Sequence, residues 1–300
     1  MRVLLTGSTG LVGAAVAERL RPHHSLHTLG RQANLVDEVV DLSDSAQLAR
    51  LKLPASDCLV HCAGVIDEDF KTDPMAAYRR ATLGAEALLN AAAKSGSKRS
   101  IYISSTHVYG AQTGTKSEDS SADPQSHYAL AHFCTEQIFR RHAGGGQGSF
   151  AVLRPNAVYG LPAHPESFQR WSLIPFSFPR EAKGDGRITL KSSGLQKRNF
   201  VSTAAIADIV ARCVDGDLAE ASGVINVLGT ETESVYEFAQ RCRKIAEEKL
   251  GRSCTVERPQ SFLSSPNAGA GSDFSIVSRF RQQRPADELN DFIRRFITVC

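Results

Sequence analysis

The sequence has almost no excess of one charge. Thirty-five Lys and Arg against 32 Asp and Glu leave a formal net charge of +3, too small for a nucleic-acid-binding surface. It has no apolar run near the roughly 20 residues that span a bilayer, so no membrane partner is expected. It shows no leader: Met1–Thr6 opens directly on strand-like sequence, with Arg2 as its one charge. It also lacks any CxxC pair. The cysteines at 58, 62, 134, 213, 242, 254 and 300 are odd in number and irregular in spacing, which speaks against a zinc site or a disulfide framework. No metal is expected, and free thiols fit a reducing, cytoplasmic setting. Hydrophobic residues make up 42% of the 300 positions, enough for a full core without staples.

What is present is alternation. Short apolar runs at Arg2–Thr6, Ser25–Gly30, Glu38–Leu42, Asp57–Ala63, Arg99–Ser105 and Phe150–Arg154 read as strands. Helical patterns lie between them at Leu11–Leu20, from about Pro74 to Lys94, and from about Ser126 to His142. Strands separated by helices of this length predict βαβ units and a parallel sheet. Ala143–Ser149 is a flexible connection. Pro155, Pro162, Pro165, Pro175 and Pro179 punctuate a loop-rich stretch where a substrate lobe is expected. Strands return at Asn199–Thr203 and Gly223–Leu228, each followed by a helix. A loop over Ser261–Ser272 precedes a last helix from about Pro285 to Phe296, and no internal repeat is visible. The expected fold is α/β, a Rossmann-like doubly wound parallel sheet with a smaller C-terminal substrate-binding lobe. Residues 1–155 form the nucleotide-binding domain, with 199–230 returning to it; 156–198 and 231–300 form the lobe.

The sharpest local pattern is Gly7-Ser8-Thr9-Gly10-Leu11-Val12-Gly13, placed between the first strand and the first helix. Gly7 permits a tight turn, Gly10 lets a pyrophosphate approach the backbone, and Gly13 lets helix and sheet pack closely. The helix N-terminus adds unpaired N–H groups and a favourable dipole for the anion. The second strand ends Leu29-Gly30-Arg31-Gln32, without the acid that would bind a ribose 2′-hydroxyl. Arg31 therefore points to NADP(H) over NAD(H), the alternative being an ordinary surface arginine. Asp41 and Leu42 are placed beside the adenine. Cys62, Ala63 and Gly64 end the fourth strand at the same edge, and His61 reads as a packed residue rather than a catalyst.

Several further blocks join the glycine loop: Ser104-Ser105-Thr106-His107-Val108-Tyr109-Gly110 after the fifth strand, Tyr128 opening a helix with Glu136 two turns on, Arg154-Pro155-Asn156-Ala157-Val158-Tyr159-Gly160, and Arg198-Asn199-Phe200-Val201. In this order they resemble the extended short-chain dehydrogenase/reductases, the NAD-dependent epimerase/dehydratase-like enzymes of nucleotide-linked sugars. The resemblance implies Tyr128 as acid/base, Ser105 as the hydrogen-bond partner of the reacting oxygen, Pro155 and Asn156 beside the cofactor, and Thr106, Asn156 and Arg198 as substrate contacts. It also implies a homodimer through the helices at about 74–94 and 126–142.

The chain departs from that family where a tyrosine most needs help. A phenol has a reference pKa of about 10 and needs a nearby positive charge to exchange protons at neutral pH. The family places a lysine four residues on, on the same helix face; here that residue is His132. An imidazole, of reference pKa about 6.5, can bond the nicotinamide ribose but brings less charge. Ala81 stands where relatives often have asparagine, and Ala204-Ala205 replaces an acidic pair. Thr106-His107 stands where sugar dehydratases of the family carry Asp-Glu, which disfavours dehydration. The expectation is a 4-ketoreductase. The alternatives are a 4-epimerase, a reductase of a non-nucleotide carbonyl, and a cofactor-binding subunit with weakened catalysis.

Overall fold

A computed structural model describes residues 1–146, 148–216, 222–259, 273–280 and 288–299. The chain begins β1 (Arg2–Thr6), α1 (Leu11–Leu20), β2 (Ser25–Gly30), β3 (Glu38–Val39), α2 (Ser45–Ala49), β4 (Cys58–His61) and α3 (Asp67–Thr72). It continues through α4 (Pro74–Arg79), a π-helical turn (Arg80–Gly84), α5 (Ala85–Lys94), β5 (Arg99–Ile103), a 3-10 turn (Thr106–Tyr109), β6 (Thr115–Lys116), α6 (His127–Gly144), β7 (Ser149–Pro155) and β8 (Ala157–Tyr159). The rest comprises α7 (Ile174–Lys183), β9 (Arg187–Thr189), β10 (Lys197–Ser202), α8 (Thr203–Asp215), β11 (Gly223–Val227), β12 (Glu231–Ser234), α9 (Val235–Leu250), β13 (Thr255–Glu257), β14 (Ser275–Ile276) and a C-terminal helix, Glu288–Val299. The expected loop at Ser261–Ser272 and the first residues of the expected last helix lie outside the described residues.

Seven strands form one sheet in the order β3-β2-β1-β4-β5-β7-β11, with every neighbouring pair parallel. The near-continuous apolar strands require cover on both faces. On one face α1 and α8 press Val16, Leu20, Ile206 and Val210 against Val3, Leu5 and Val60. On the other, α5 and α6 bring Leu88, Leu89 and Phe139 onto Leu4, Leu59 and Tyr102. The chain leaves β1 toward β2 and β3, then returns to lay β4 on the other side of β1. This strand-order reversal opens a crevice at the carboxyl ends of the strands, the usual ligand site of such sheets.

A second core gathers Phe176, Phe178, Phe200, Phe238, Phe292 and Phe296 from α7, β10, α9 and the C-terminal helix. Its three-stranded sheet runs β12-β10-β8. The strand expected from Asn199 thus pairs with β8 and β12 and stays out of the seven-stranded sheet, while α8 and β11 belong to the large one. Among the described residues no helix is long and apolar enough to cross a membrane.

Two other elements differ from expectation. β3 stops at Val39 because Asp41 folds back on itself, its Oδ1 accepting from Ser43 N at 2.8 Å and Ser43 Oγ at 2.6 Å, an Asx-type turn that ends a strand. The long helix over 74–94 contains a π-helical turn. There Thr135 Oγ1 donates to the Ala81 carbonyl at 2.6 Å, a side-chain insertion that disturbs the helical ladder. Gly84 lets this turn rest on the strand edge, since a Cβ at Gly84 would overlap the Leu42 carbonyl oxygen.

Beneath the crevice lies a buried ion pair. Arg154 on β7 donates from Nε to Glu136 Oε1 (2.9 Å) and from an Nη to Oε2 (2.5 Å), and Ser104 donates to Oε1 (2.5 Å). Burial works against the Arg154 charge, but Glu136 and Tyr109 outweigh it and the guanidinium is held more firmly protonated. Removing one member strands the other in low dielectric. Arg154→Met is therefore expected to cost about 3–5 kcal/mol, and Arg154→Met/Glu136→Leu less than the single change. Urea unfolding of these two variants and of Glu136→Leu measures this; a loss in the double variant equal to the sum of the two single losses would show that the pair carries no coupling.

Candidate active site

The glycine loop takes the shape its residues require. Gly7 has φ +71°, and a Cβ there would lie 2.7 Å from both the Ala63 nitrogen and the Cys62 carbonyl carbon. Glycine is thus demanded twice, by conformation and by the close approach of the β4 end. A Cβ on Gly13 would overlap the Gly7 carbonyl oxygen. Gly10 N donates to that same oxygen at 2.9 Å and Gly10 caps α1, whose first turn receives no side-chain cap. The N–H groups of Leu11, Val12 and Gly13 are left for an anion. Ser8 Oγ is buried without a partner, and Thr9 completes the turn.

The other expected cofactor residues fall along the same sheet edge. Arg31 is exposed just past β2, and Gln32 beside it has a buried, unpartnered Oε1. Asp41 and Leu42 follow β3. Burial disfavours the Asp41 charge, but the Ser43 hydrogen bonds and the charges of Arg80 and Arg31 prevail and its pKa is lowered; Arg31 and Asp41 are thus electrostatic neighbours. Cys62, Ala63 and Gly64 follow β4, with Gly64 pressed against His132, whose Cε1 would be 3.1 Å from an added Cβ. Pro155 ends β7.

Tyr128 lies in the first turn of α6, started by Ser126, whose Oγ accepts from Ala129 N at 3.2 Å. Ser105 lies two residues past β5, which stops at Ile103 short of the expected strand end. Its Oγ accepts from His107 N at 3.2 Å, opening a 3-10 turn that carries the His107 ring edge-on to Tyr128 at 5.7 Å. Thr106 Oγ1 accepts from Asn156 Nδ2 at 2.6 Å, and Asn156 also bonds Gln112 and the Asn199 backbone. Arg198 on β10 faces the same cleft closely enough to act on His107 by charge. His127, beside Tyr128, is tied away to Tyr78 Oη at 2.7 Å.

His132 sits one turn below Tyr128, ring centroids 4.5 Å apart. Its Nδ1 pairs with Tyr102 Oη at 2.6 Å, and its Nε2 is buried without a partner. When the Tyr102 hydroxyl donates to Nδ1, the hydrogen sits on Nε2 and needs an acceptor. Burial, helped by the charge of Arg170 and less by His107 and His61, pushes its pKa down to about 3, although the Val65 backbone pulls the other way. His132 is therefore neutral. His61 lies deeper, stacked on Tyr102 and Phe139 at 5.4 and 5.9 Å and bonded to Thr6 Oγ1 at 2.7 Å. Burial lowers it to about 4, so it is a packed residue.

Three orphaned polar atoms thus line the crevice, on Ser8, Gln32 and His132, next to a loop that admits no Cβ at Gly7 or Gly13. Together they fit a dinucleotide: pyrophosphate at α1, adenosine toward Arg31 and Asp41, and nicotinamide ribose at His132. Sequence reasoning missed Tyr102 and Arg170. Tyr102 leaves the same strand face as Ser104, and these two polar side chains meet His132 and Glu136, four apart on one face of α6; that pairing was open to inspection. Arg170, whose guanidinium lies over the Tyr128 ring at 5.5 Å, had no signal in its proline-rich loop.

The two buried imidazoles make stability depend on pH. Each is depressed in the folded state and near 6.5 when unfolded, so the unfolded chain binds protons first. Their contribution is complete above pH about 6.5 and is lost as pH falls toward 4 for His61 and 3 for His132. At pH 5 each costs about 2 kcal/mol relative to pH 7. Urea midpoints measured between pH 7 and 5 should fall accordingly, and less steeply in His132→Asn. A slope unchanged by that substitution would contradict a buried neutral imidazole.

Residues 3–228 match the NAD dependent epimerase/dehydratase family. A UDP-glucose 4-epimerase of Vibrio cholerae is 29% identical over 227 residues, covering 71% of this chain and 66% of its own length, so the aligned part spans slightly less than two thirds of that relative. Among solved structures, the ADP-L-glycero-D-manno-heptose-6-epimerase of Helicobacter pylori has TM-score 0.78 at 19% identity, covering 99% of this chain and 96% of that one. The UDP-glucose 4-epimerase of Thermus thermophilus in complex with NAD has TM-score 0.75 at 20% identity, covering 99% and 98%. These structural likenesses show the shared Rossmann-like fold. The matched region holds both the glycine loop and the tyrosine helix, and the chain belongs to the NAD dependent epimerase/dehydratase family, of the extended short-chain dehydrogenase/reductase type.

Proposed function

We propose that the protein is an NAD(P)-dependent enzyme that epimerises a ring carbon, C4 by its family resemblance, of a nucleotide-linked sugar. One observation carries the reading: Tyr128 stands at the carboxyl edge of the sheet, its ring edge-on to that of His132, whose Nε2 is orphaned, and beside the turn that Ser105 caps. The epimerase relatives support it. The nicotinamide ring, when bound, supplies the acceptor and donor of hydride. Tyr128 takes the proton of the sugar hydroxyl as the carbonyl forms and returns it as the carbonyl is reduced on the other face. Ser105 donates a hydrogen bond to that oxygen. His132 Nε2 holds a ribose hydroxyl, and Arg198 meets the sugar diphosphate. Thr106 and Asn156, linked to each other, shape the floor beneath the sugar.

A second reading, an NADP(H)-dependent 4-ketoreductase, is favoured by Arg31, exposed at the end of β2 with no acid in the ribose-binding position. A homodimer belongs to the same proposal, supported by Met75, Leu83 and Leu130 exposed on the helices of 74–94 and 127–144.

Sugar analysis and cofactor absorbance separate the readings. With UDP-glucose and related nucleotide sugars, an epimerase converts substrate to its epimer with no net change in reduced cofactor. A ketoreductase consumes NADPH in proportion to a 4-keto sugar. Tyr128→Phe should lower kcat by about 10²–10⁴-fold with cofactor affinity retained. Failure to bind either NAD(H) or NADP(H), or full activity in Tyr128→Phe, would overturn the proposal.

A further inference from the structure

The neutral His132 leaves a question about Tyr128. A tyrosine that gives up its proton needs positive charge nearby, and the residue four positions along the helix does not bring it. The charged and titratable groups facing Tyr128 come from several elements. His132 lies on its own helix, with Tyr102 on β5 behind it. His107 comes from the 3-10 turn, and Arg198 of β10 and Asp67 of α3 act on that imidazole by charge. Arg170 comes from the loop before α7.

Arg170 has the permanent charge placed best for the task. Its guanidinium carbon lies 5.5 Å from the Tyr128 ring centroid, within the range at which an aromatic face attracts a cation. Its side chain is 25% exposed, and its Nη2 stands 3.6 Å from Asp67 Oδ2. Its Nε is buried with no partner. Asp67 is 52% exposed, so water screens the carboxylate more than the cation it faces. The loop is anchored: Phe168 and Trp171, flanking Arg170, pack edge-on at 4.7 Å and contact Phe176 at 4.9 and 6.4 Å. Arg170 is held over the phenol from the lobe side. Its field reaches His132 and His107 as well, disfavouring protonation of both.

We propose that Arg170 is a positioning residue that stabilises the Tyr128 phenolate, supplying from the lobe the charge that the family's lysine supplies from the helix. The two tasks of that lysine are divided here. His132 keeps the hydrogen bond to the ribose, and Arg170 keeps the charge. A guanidinium suits this better than an imidazole because it stays protonated at every working pH. The inference rests on Tyr128 being the acid/base of the proposed function.

The test compares wild type, Arg170→Met, Arg170→Lys and Arg170→Met/His132→Lys, with Tyr128→Phe as the blank. The first readout is tyrosinate absorbance in an alkaline titration of the protein without substrate, subtracting the blank. The second is the pH–rate profile with UDP-glucose. Arg170→Met should delay the Tyr128 absorbance step and the acidic limb of the rate profile by about one pH unit, a tenfold effect at pH 7. Arg170→Lys should retain most of the wild-type behaviour. Arg170→Met/His132→Lys should recover what Arg170→Met loses, because it returns a cation to the helix. An unmoved absorbance step in Arg170→Met overturns the inference. So does an equal rate loss in the Met and Lys variants with no shift of the profile, which marks a purely structural residue. The absorbance readout needs no turnover, so a protein inactive on nucleotide sugars would sink the proposed function while still testing Arg170.

Discussion

The Glu136–Arg154 pair is the constraint on which the site depends. Glu136 lies two turns beyond Tyr128 on α6 and is gripped by Arg154 of β7 and by Ser104 at the end of β5. The same guanidinium lies over the Tyr109 ring at 4.6 Å, and Tyr109 Oη donates to Asn226 on β11 at 2.8 Å. One carboxylate thus fixes the rotation and height of the helix that presents Tyr128 and His132, relative to three neighbouring strands. Buried ion pairs are weak sources of net stability, because desolvation offsets most of their attraction. Their value here is positional: an apolar contact would let α6 slide or turn, and acid/base geometry tolerates little of either.

Above that anchor the polar groups descend in a column from Tyr128 through His132 and Tyr102 to His61. Each imidazole in it is kept neutral by burial. The column therefore provides orientation and hydrogen-bonding capacity without charge. Among the described residues, permanent cations approach from the side, on Arg170 and Arg198, both outside the seven-stranded sheet. Charge and geometry are supplied by different parts of the fold, which a single lysine would have combined.

Much of the architecture could be read from the sequence because it rests on local rules. Apolar runs between helical patterns specified the parallel strands, and Leu11–Leu20 was predicted with its observed limits because glycine spacing and apolar periodicity agree there. Apart from strand ends, that of β3 being set by a local turn at Asp41, the assignments that failed involved partners distant in sequence. The π-helical turn at Arg80–Gly84 depends on a hydroxyl from Thr135, and β10 joins the small sheet through β8 and β12. Neither is encoded in its own neighbourhood. Motif spacing was enough to place the candidates Gly7, Gly13, Ser105 and Tyr128 at the carboxyl edge of the sheet. That His132 would be buried and bonded to Tyr102 required the packing of α6 on β5, and Arg170 required the path of an irregular loop, for which sequence offers no period to follow.

The interleaving of the two cores bears on how the chain is made. The last strand of the large sheet ends at Val227, whereas the second core still awaits Phe292 and Phe296, which pack around Phe176 at 6.2 and 5.9 Å. A chain emerging from the ribosome therefore completes the seven-stranded sheet well before the second core. A ligand that binds a folded unit stabilises it by mass action, so a dinucleotide held at the glycine loop would favour the first-finished sheet while the second core is still incomplete.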